Sequence, residues 1–265
     1  MRRAIFPGPA VAAAFGFPIG VLSGFTGVGG GEYRAPVLLG LLGDVRRSIA
    51  TNLLVGAVVS LANFLYRAGW TLPTDELVLA GLLILTSLPG AYVGAALTRR
   101  TTSRVLKALL AGILIATGLR LILLETTAGP TFRLDSVAIA SALALGFGLG
   151  LISGALGLAA GEYRIPALIL LFGVSPIAAG TSSSLASIPQ QAIAFAKHRA
   201  LGQGDRATYR FGGVMAVASV VGVLVGVSLL GRTAEALVAQ VLGVAMILAA
   251  SFIVRQILRP REEST

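Results

Sequence analysis

Gly27-Val28-Gly29-Gly30-Gly31-Glu32-Tyr33-Arg34-Ala35-Pro36 returns in a sparser form as Gly157-Leu158-Ala159-Ala160-Gly161-Glu162-Tyr163-Arg164-Ile165-Pro166. Each copy breaks a long apolar stretch with glycine and then sets a carboxylate and a guanidinium inside it, where a charge is costly unless it is paired or used. Two copies half a chain apart point to one site built from two halves.

The surroundings of these motifs set the class. A chain of 265 residues that is 55% hydrophobic and only 12% charged, with a mean hydropathy of +0.88, carries more apolar surface than a soluble core of this size can bury, so it reads as an integral membrane protein. Leu, Ala and Ile dominate the apolar runs without a two-residue alternation, which favours helices over a barrel. The net charge of +10 comes from short basic clusters between apolar runs, a topology signal and not a nucleic-acid surface. The absence of cysteine excludes disulfides and thiolate metal sites. Met1-Arg2-Arg3 ahead of the apolar run from Ala10 has the look of a signal peptide, but that run has a counterpart inside the chain and is expected to belong to the fold.

The counterpart appears when the sequence is slid on itself by 130 residues. Gly20, Ser23, Gly24, Gly27, Gly31, Glu32, Tyr33, Arg34, Pro36, Leu38, Leu41 and Gly43 then match residues 150–173, identical at twelve of 24 positions, which is a duplication. An offset of 132 pairs Ser87, Gly90, Val93, Gly94, Leu97, Arg100 and Thr101 with residues 219–233. The expected organisation is a first repeat over 1–125, a linker over 126–134 and a second repeat over 135–265, forming one integrated transmembrane domain.

Apolar segments at roughly 8–28, 48–66, 76–98, 104–123, 135–157, 176–196, 208–230 and 235–257 are each long enough to span. Between the first two of each repeat lies a short apolar piece, Ala35 to Gly43 and Ile165 to Gly173, about 14 Å long as helix and so half the hydrocarbon core. If these pieces complete a crossing, each repeat crosses five times and the second is inserted upside down. Fifteen Lys and Arg then lie on the cytoplasmic side, while Arg67, Arg120, Arg133 and Arg232 lie outside. If they re-enter instead, Arg46, Arg47, Arg99, Arg100, Arg104 and Lys107 move outside. The positive-inside rule favours the first arrangement. The expected fold is therefore an all-α polytopic membrane protein of two inverted-topology repeats, each with four full transmembrane helices and one short half-helix, both termini cytoplasmic.

In that fold Gly31 and Pro36, and again Gly161 and Pro166, mark the start of a half-helix, with proline at the first turn. Its free N–H groups and positive dipole end suit an anion near the midplane, with Arg34 and Arg164 supplying a planar fork that meets two oxygens of a sulfonate, sulfite or carboxylate. Tyr33 and Tyr163 can donate a hydrogen bond or gate the substrate. Glu32 and Glu162 act either as counter-ions to the arginines or as proton carriers; a satisfied structural ion pair is the bland alternative. Thr51-Asn52 and Thr181-Ser182-Ser183-Ser184 open the next helix of each repeat and can complete the shell, though such hydroxyls also serve packing. Asn63, Gln190 and Gln191 are amides in spanning segments, Gln190 and Gln191 are expected among the substrate ligands, and Pro189 is expected to kink its helix. Gly90 and Gly94, repeated as Gly222 and Gly226, suit close helix packing. The lone His198 gives no metal site, the glycine run lacks the Lys-Ser/Thr of a P-loop, and no nucleophile with its base is present. The chain reads as no enzyme, without cofactor or metal.

With these motifs the sequence resembles the TauE/SafE family of bacterial sulfite and organosulfonate exporters. The likeness rests on the glycine-rich break, proline and short apolar helix (Gly27 to Gly43, Gly157 to Gly173) and on the small-polar helix starts Ala50-Thr51-Asn52 and Gly180-Thr181-Ser182-Ser183. The resemblance implies a secondary transporter that exports sulfite or a small organosulfonate across the bacterial inner membrane. An alternating-access mechanism about the midplane arginines is the leading expectation, with proton coupling open and an anion channel using the same site as the alternative. The partners expected are the anion and the bilayer, with a homodimer left open and no nucleic acid.

Overall fold

The computed structural model describes residues 8–97, 103–123, 135–156, 161–200 and 202–258. Among these residues the chain is helical nearly throughout and contains no strand. In chain order the helices are α1 Pro9–Thr26, α2 Gly31–Leu42, α3 Val45–Thr71, α4 Thr74–Leu97, α5 Ser103–Leu123, α6 Ser136–Leu156, α7 Gly161–Phe172, α8 Pro176–Ala200, α9 Arg206–Leu230 and α10 Glu235–Leu258. Eight long helices thus stand where the apolar segments do, and α2 and α7 stand at the half-length pieces. Four stretches, Pro9–Thr26, Arg46–Arg67, Arg206–Leu230 and Ala236–Arg255, are long and apolar enough to cross a membrane. The linker 126–134, the second glycine break 157–160 and the side chains of Glu32, Pro36 and Glu162 lie outside the described residues.

Helix boundaries follow local chemistry. Pro9 stands in the first turn of α1, where a missing N–H is harmless. Asp44 caps α3 by accepting from the Arg47 N–H at 2.8 Å. Asp205 caps α9, accepting from the Thr208 N–H at 2.8 Å and from its hydroxyl at 2.7 Å. α2 and α7 begin at Gly31 and Gly161, so Glu-Tyr-Arg forms their first turn and the proline, expected in the first turn, falls sixth. Glycine at these positions lets the chain enter the helix directly from the break, and Pro166 then sits inside α7, where its ring removes one ladder bond. At 12 residues each short helix spans about 18 Å.

The chain divides into two compact units, Met1–Gly81 with Ile177–Ala234 and Leu82–Pro176 with Glu235–Thr265. Each draws helices from both sequence repeats. In the first unit α1 lies parallel to α9, Gly16 facing the Met215 carbonyl and Gly24 the Val223 carbonyl. A Cβ on Gly222 would meet the Phe17 carbonyl, so only glycine allows this approach. The second unit repeats the contact, for a Cβ on Gly90 would meet the Phe147 carbonyl. The register is kept as well: a Cβ on Gly16 would lie 2.6 Å from the Met215 oxygen, and one on Gly146 would lie 2.7 Å from the Leu83 oxygen. Gly222 and Gly90 therefore do what the small-xxx-small pattern suggests.

Helix directions within each unit carry the topology. In the first unit α3 runs parallel to α1, since Asn63 bonds Ser23 and Arg67 bonds Gly24. It runs parallel to α9 too, with Arg47 paired to Asp205 at 3.3 Å and Leu54 near Gly212. Its repeat equivalent α8 runs antiparallel to it, the first turn of α8 meeting Arg67 and Gln191 meeting Ser60. In the second unit the equivalents α5 and α10 are also antiparallel, Gly118 lying against Ile247 and Ile122 against Gly243. Polarity is inverted relative to a soluble protein: Val217 and Leu85 are 67% and 66% exposed, whereas Arg34, Arg67 and Arg164 are at most 1% exposed. An apolar surrounding makes that distribution favourable.

Two outcomes follow. Gly222→Ala should lower stability by about 1–3 kcal/mol through overpacking, read as a lower melting temperature in detergent, while Gly148→Ala, with nothing within 4 Å, should leave it unchanged. The Asp205 carboxyl is held below its ordinary range, first by the Thr208 N–H, then by the Thr208 hydroxyl, with Arg47 adding attraction against the opposing effect of burial. A depressed folded-state pKa stabilises above the unfolded value and is lost as pH falls through the folded one. Melting temperature should therefore fall as pH drops below about 4, and this slope should shrink in Asp205→Asn.

Candidate functional site

α1 ends at Gly27, whose φ of 77° is left-handed and whose N–H reaches the Ser23 carbonyl at 2.8 Å. The chain then passes Val28 and Gly29 and re-enters helix from Gly30, again left-handed at φ 68°. This break leaves carbonyls without helical donors inside an apolar surrounding, which costs several kcal/mol each unless side chains serve them. The Ser23 hydroxyl donates to the Val28 carbonyl at 2.6 Å, and Ser23 in turn accepts from the Asn63 amide at 2.8 Å. Ser184 shares its hydroxyl between the Gly180 carbonyl of its own helix at 2.9 Å and the Gly27 carbonyl at 3.1 Å. Arg34 donates to the Gly29 carbonyl through Nη2 at 2.9 Å.

Arg34, in the first turn of α2, is fully buried. Its Nε–H donates to Asn52 Oδ1 at 3.2 Å, and the Asn52 amide donates to the Gly31 carbonyl at 3.1 Å, so one asparagine ties the guanidinium to the start of its own helix. Gln191 from α8 bonds the Ser60 hydroxyl at 3.1 Å. Its Oε1 fills the space that a Cβ on Gly56 would need, and Arg34 Nη2 lies 3.2 Å from the same point. The first unit thus gathers Arg34, Asn52 and Gln191 of the expected set around Gly29, Gly56 and Ser60.

Other expected residues stand elsewhere or in other roles. The Thr51 hydroxyl donates back to the Arg47 carbonyl at 2.8 Å, and its methyl lies near Gly212. Thr181 donates to the Ile177 carbonyl at 3.0 Å and accepts from Arg67. Ser182 is buried, and its Oγ has no partner among the described residues. Tyr33 and Gln190 are half-buried. Pro189 lies inside α8, which continues to Ala200. In the second unit α7 buries Gly161, Tyr163, Arg164 and Pro166. Among the described residues no group of His, Asp or Glu could hold a metal ion.

Arg67, which the charge count sets on the outer side of the membrane, is fully buried within the protein and donates to carbonyls of Gly24, Phe25 and Ile177. α3 extends to Thr71, beyond the apolar run that ends at Tyr66, so Arg67 is a helix residue and not a loop residue. Sequence reasoning also missed Ser23, Gly56 and Ser60. A usable signal was present for α3: Asn52, Gly56, Ser60, Asn63 and Arg67 recur at steps of four, four, three and four, which is one helix face.

The sulfite exporter TauE/SafE family model matches residues 2–121 and 142–265, so each sequence repeat carries its own matching segment. Comparison with curated proteins and with solved structures gives no match. Family members are transporters of sulfite and related sulfur anions, in keeping with a membrane chain that buries an arginine in the short helix of each repeat. By these matches and this architecture, the chain belongs to the sulfite exporter TauE/SafE family.

Proposed function

We propose that the chain exports sulfite or a small organosulfonate by alternating access, with Arg34 at the break of α1 as an anion ligand. The observation that carries this reading is the fully buried Arg34 guanidinium in the first turn of a half-length helix, aimed by Asn52 and the Gly29 carbonyl. An arriving oxyanion adds charge attraction and bidentate geometry to bonds with this planar fork. The N–H groups of the first turn of α2 add a positive dipole end. Gln191, Ser60 and Tyr33 complete the surroundings of the anion. Arg164, buried at the same place in α7, is the ligand of the second copy, with Tyr163 beside it in sequence. Glu32 and Glu162 are proposed as counter-ions or proton carriers.

The parallel course of α1 and α3 supports a return crossing through α2, hence five crossings per repeat. The antiparallel course of α3 against α8 and of α5 against α10 supports inversion of the second repeat. With the basic clusters inside, both termini are then cytoplasmic in the inner membrane.

Sulfite-loaded proteoliposomes test this. Arg34→Ala and Arg164→Ala should each slow efflux by about a hundredfold, the loss of a hydrogen-bonded charged ligand, while the variants elute as folded protein. Wild-type efflux in both would sink the proposal, and efflux insensitive to external sulfite would make the protein a channel. Gly56→Ala should displace Gln191, whose Oε1 occupies the space a Cβ needs, and raise the KM for sulfite by about tenfold, one hydrogen bond to a charged species. An unchanged KM would remove Gln191 from the site. Glu32→Gln and Glu162→Gln should shift the pH profile of efflux if either carboxylate carries the coupling proton; an unshifted profile would leave both as counter-ions.

A further inference from the structure

Arg67 joins two helix ends. Its Nη1 donates to the Gly24 carbonyl at 2.6 Å and to the Phe25 carbonyl at 3.2 Å, both in the last turn of α1. There helical donors run out and the dipole favours a cation. Nη2 donates to the Ile177 carbonyl at 3.0 Å and Nε to the Thr181 hydroxyl at 3.1 Å, both in the first turns of α8. Gly180 closes the joint: a Cβ there would lie 2.6 Å from the Thr26 carbonyl oxygen and 2.9 Å from Arg67 Nη2. No other side chain fits between these ends.

From this joint the backbone runs straight to the first ligand. Gly24 and Phe25 are held by Arg67, Gly27 by Ser184, Val28 by Ser23 and Gly29 by Arg34. One short peptide is therefore gripped by an arginine at each end. Arg67 turns its guanidinium to the ends of α1 and α8 and not to the Arg34 fork; Gly56, which faces Arg34 Nη2, is eleven residues from Arg67 on α3, about 16 Å.

We propose that Arg67 is a positioning residue for export: it fastens the broken end of α1 to the first turn of α8, so that the Gly29 carbonyl and Arg34 keep the geometry that receives the anion. The role rests on the reading of Arg34 as an anion ligand. The end of α1, the break and the start of α8 consequently move as one body, and the break is a stiff element and not a hinge. Lysine is a poor substitute, because a single ammonium cannot serve the α1 carbonyls and the α8 carbonyl with the planar fork of arginine.

The chain has no cysteine, so Val28→Cys places a single thiol in the break, at a position that is 4% exposed. Its labelling by a membrane-permeant maleimide is compared in the Arg67, Arg67→Lys and Arg67→Ala backgrounds in lipid nanodiscs, and sulfite KM and Vmax are measured in proteoliposomes for the same Arg67 variants. Arg67→Ala should label about tenfold faster and raise KM about tenfold, the scale of one lost hydrogen bond to a charged group, with a smaller change in Vmax. Arg67→Lys should fall between, and guanidinium ion should partly restore the Arg67→Ala protein in both measurements. Labelling at the wild-type rate, or faster labelling with unchanged KM, overturns the proposal; if Arg67→Ala does not fold, the same outcomes in Arg67→Lys decide. Should Arg34→Ala export normally, the anion-site reading falls while the labelling result still stands on its own.

Discussion

A helix broken inside an apolar medium must find donors for the carbonyls it exposes, and the first unit is arranged around that requirement. Between Gly24 and Gly29, five carbonyls take hydrogen bonds from Arg67, Ser184, Ser23 and Arg34. These donors come from α1, α2, α3 and α8, so the break draws four helices together. Ser23 depends on Asn63, and Gln191 on Ser60, which extends the polar set along one face of α3. The same requirement explains why charged side chains are buried while leucines and valines face outward. In a soluble protein water would serve these groups, and the network would have no such purpose.

Close helix approach is the second constraint. With lipid on one side, association rests on van der Waals contact and interhelical hydrogen bonds, which small residues make available. α1 and α9 meet through reciprocal glycine contacts, and Ser219 adds a hydrogen bond to the Gly16 carbonyl at 2.9 Å. The contact of Gly90 with the Phe147 carbonyl reproduces that of Gly222 with Phe17. Duplication therefore conserved a packing solution, and the partners in it were exchanged between repeats.

Much of the fold was legible. The apolar runs gave the long helices because a membrane span needs a continuous apolar stretch, and the repeat offset located the short ones. Gly31 and Gly161 mark the starts of α2 and α7, but the prolines fall sixth and not in the first turn, because Glu-Tyr-Arg is itself helical. Arg34 and Asn52 were legible as polar residues inside apolar runs. Arg67 was not, since an arginine at the edge of an apolar segment looks like a loop residue until the helix is seen to continue past it. Ser23 was hidden for another reason: a serine in a membrane helix usually bonds back to its own turn, and only the position of the Val28 carbonyl shows otherwise.

By itself the sequence determined a helical membrane protein, its duplication, the two half-length helices and the arginine in each, because hydropathy, period and repeat offset are properties of the chain alone. Tertiary structure decided which helices share a unit, that equivalents such as α3 and α8 run in opposite directions, and which donors serve the break. The physical reason is that a buried carbonyl or a glycine contact is satisfied by whatever lies next to it in space. Arg67 and Ile177 are 110 residues apart in the chain, and no local pattern could have joined them.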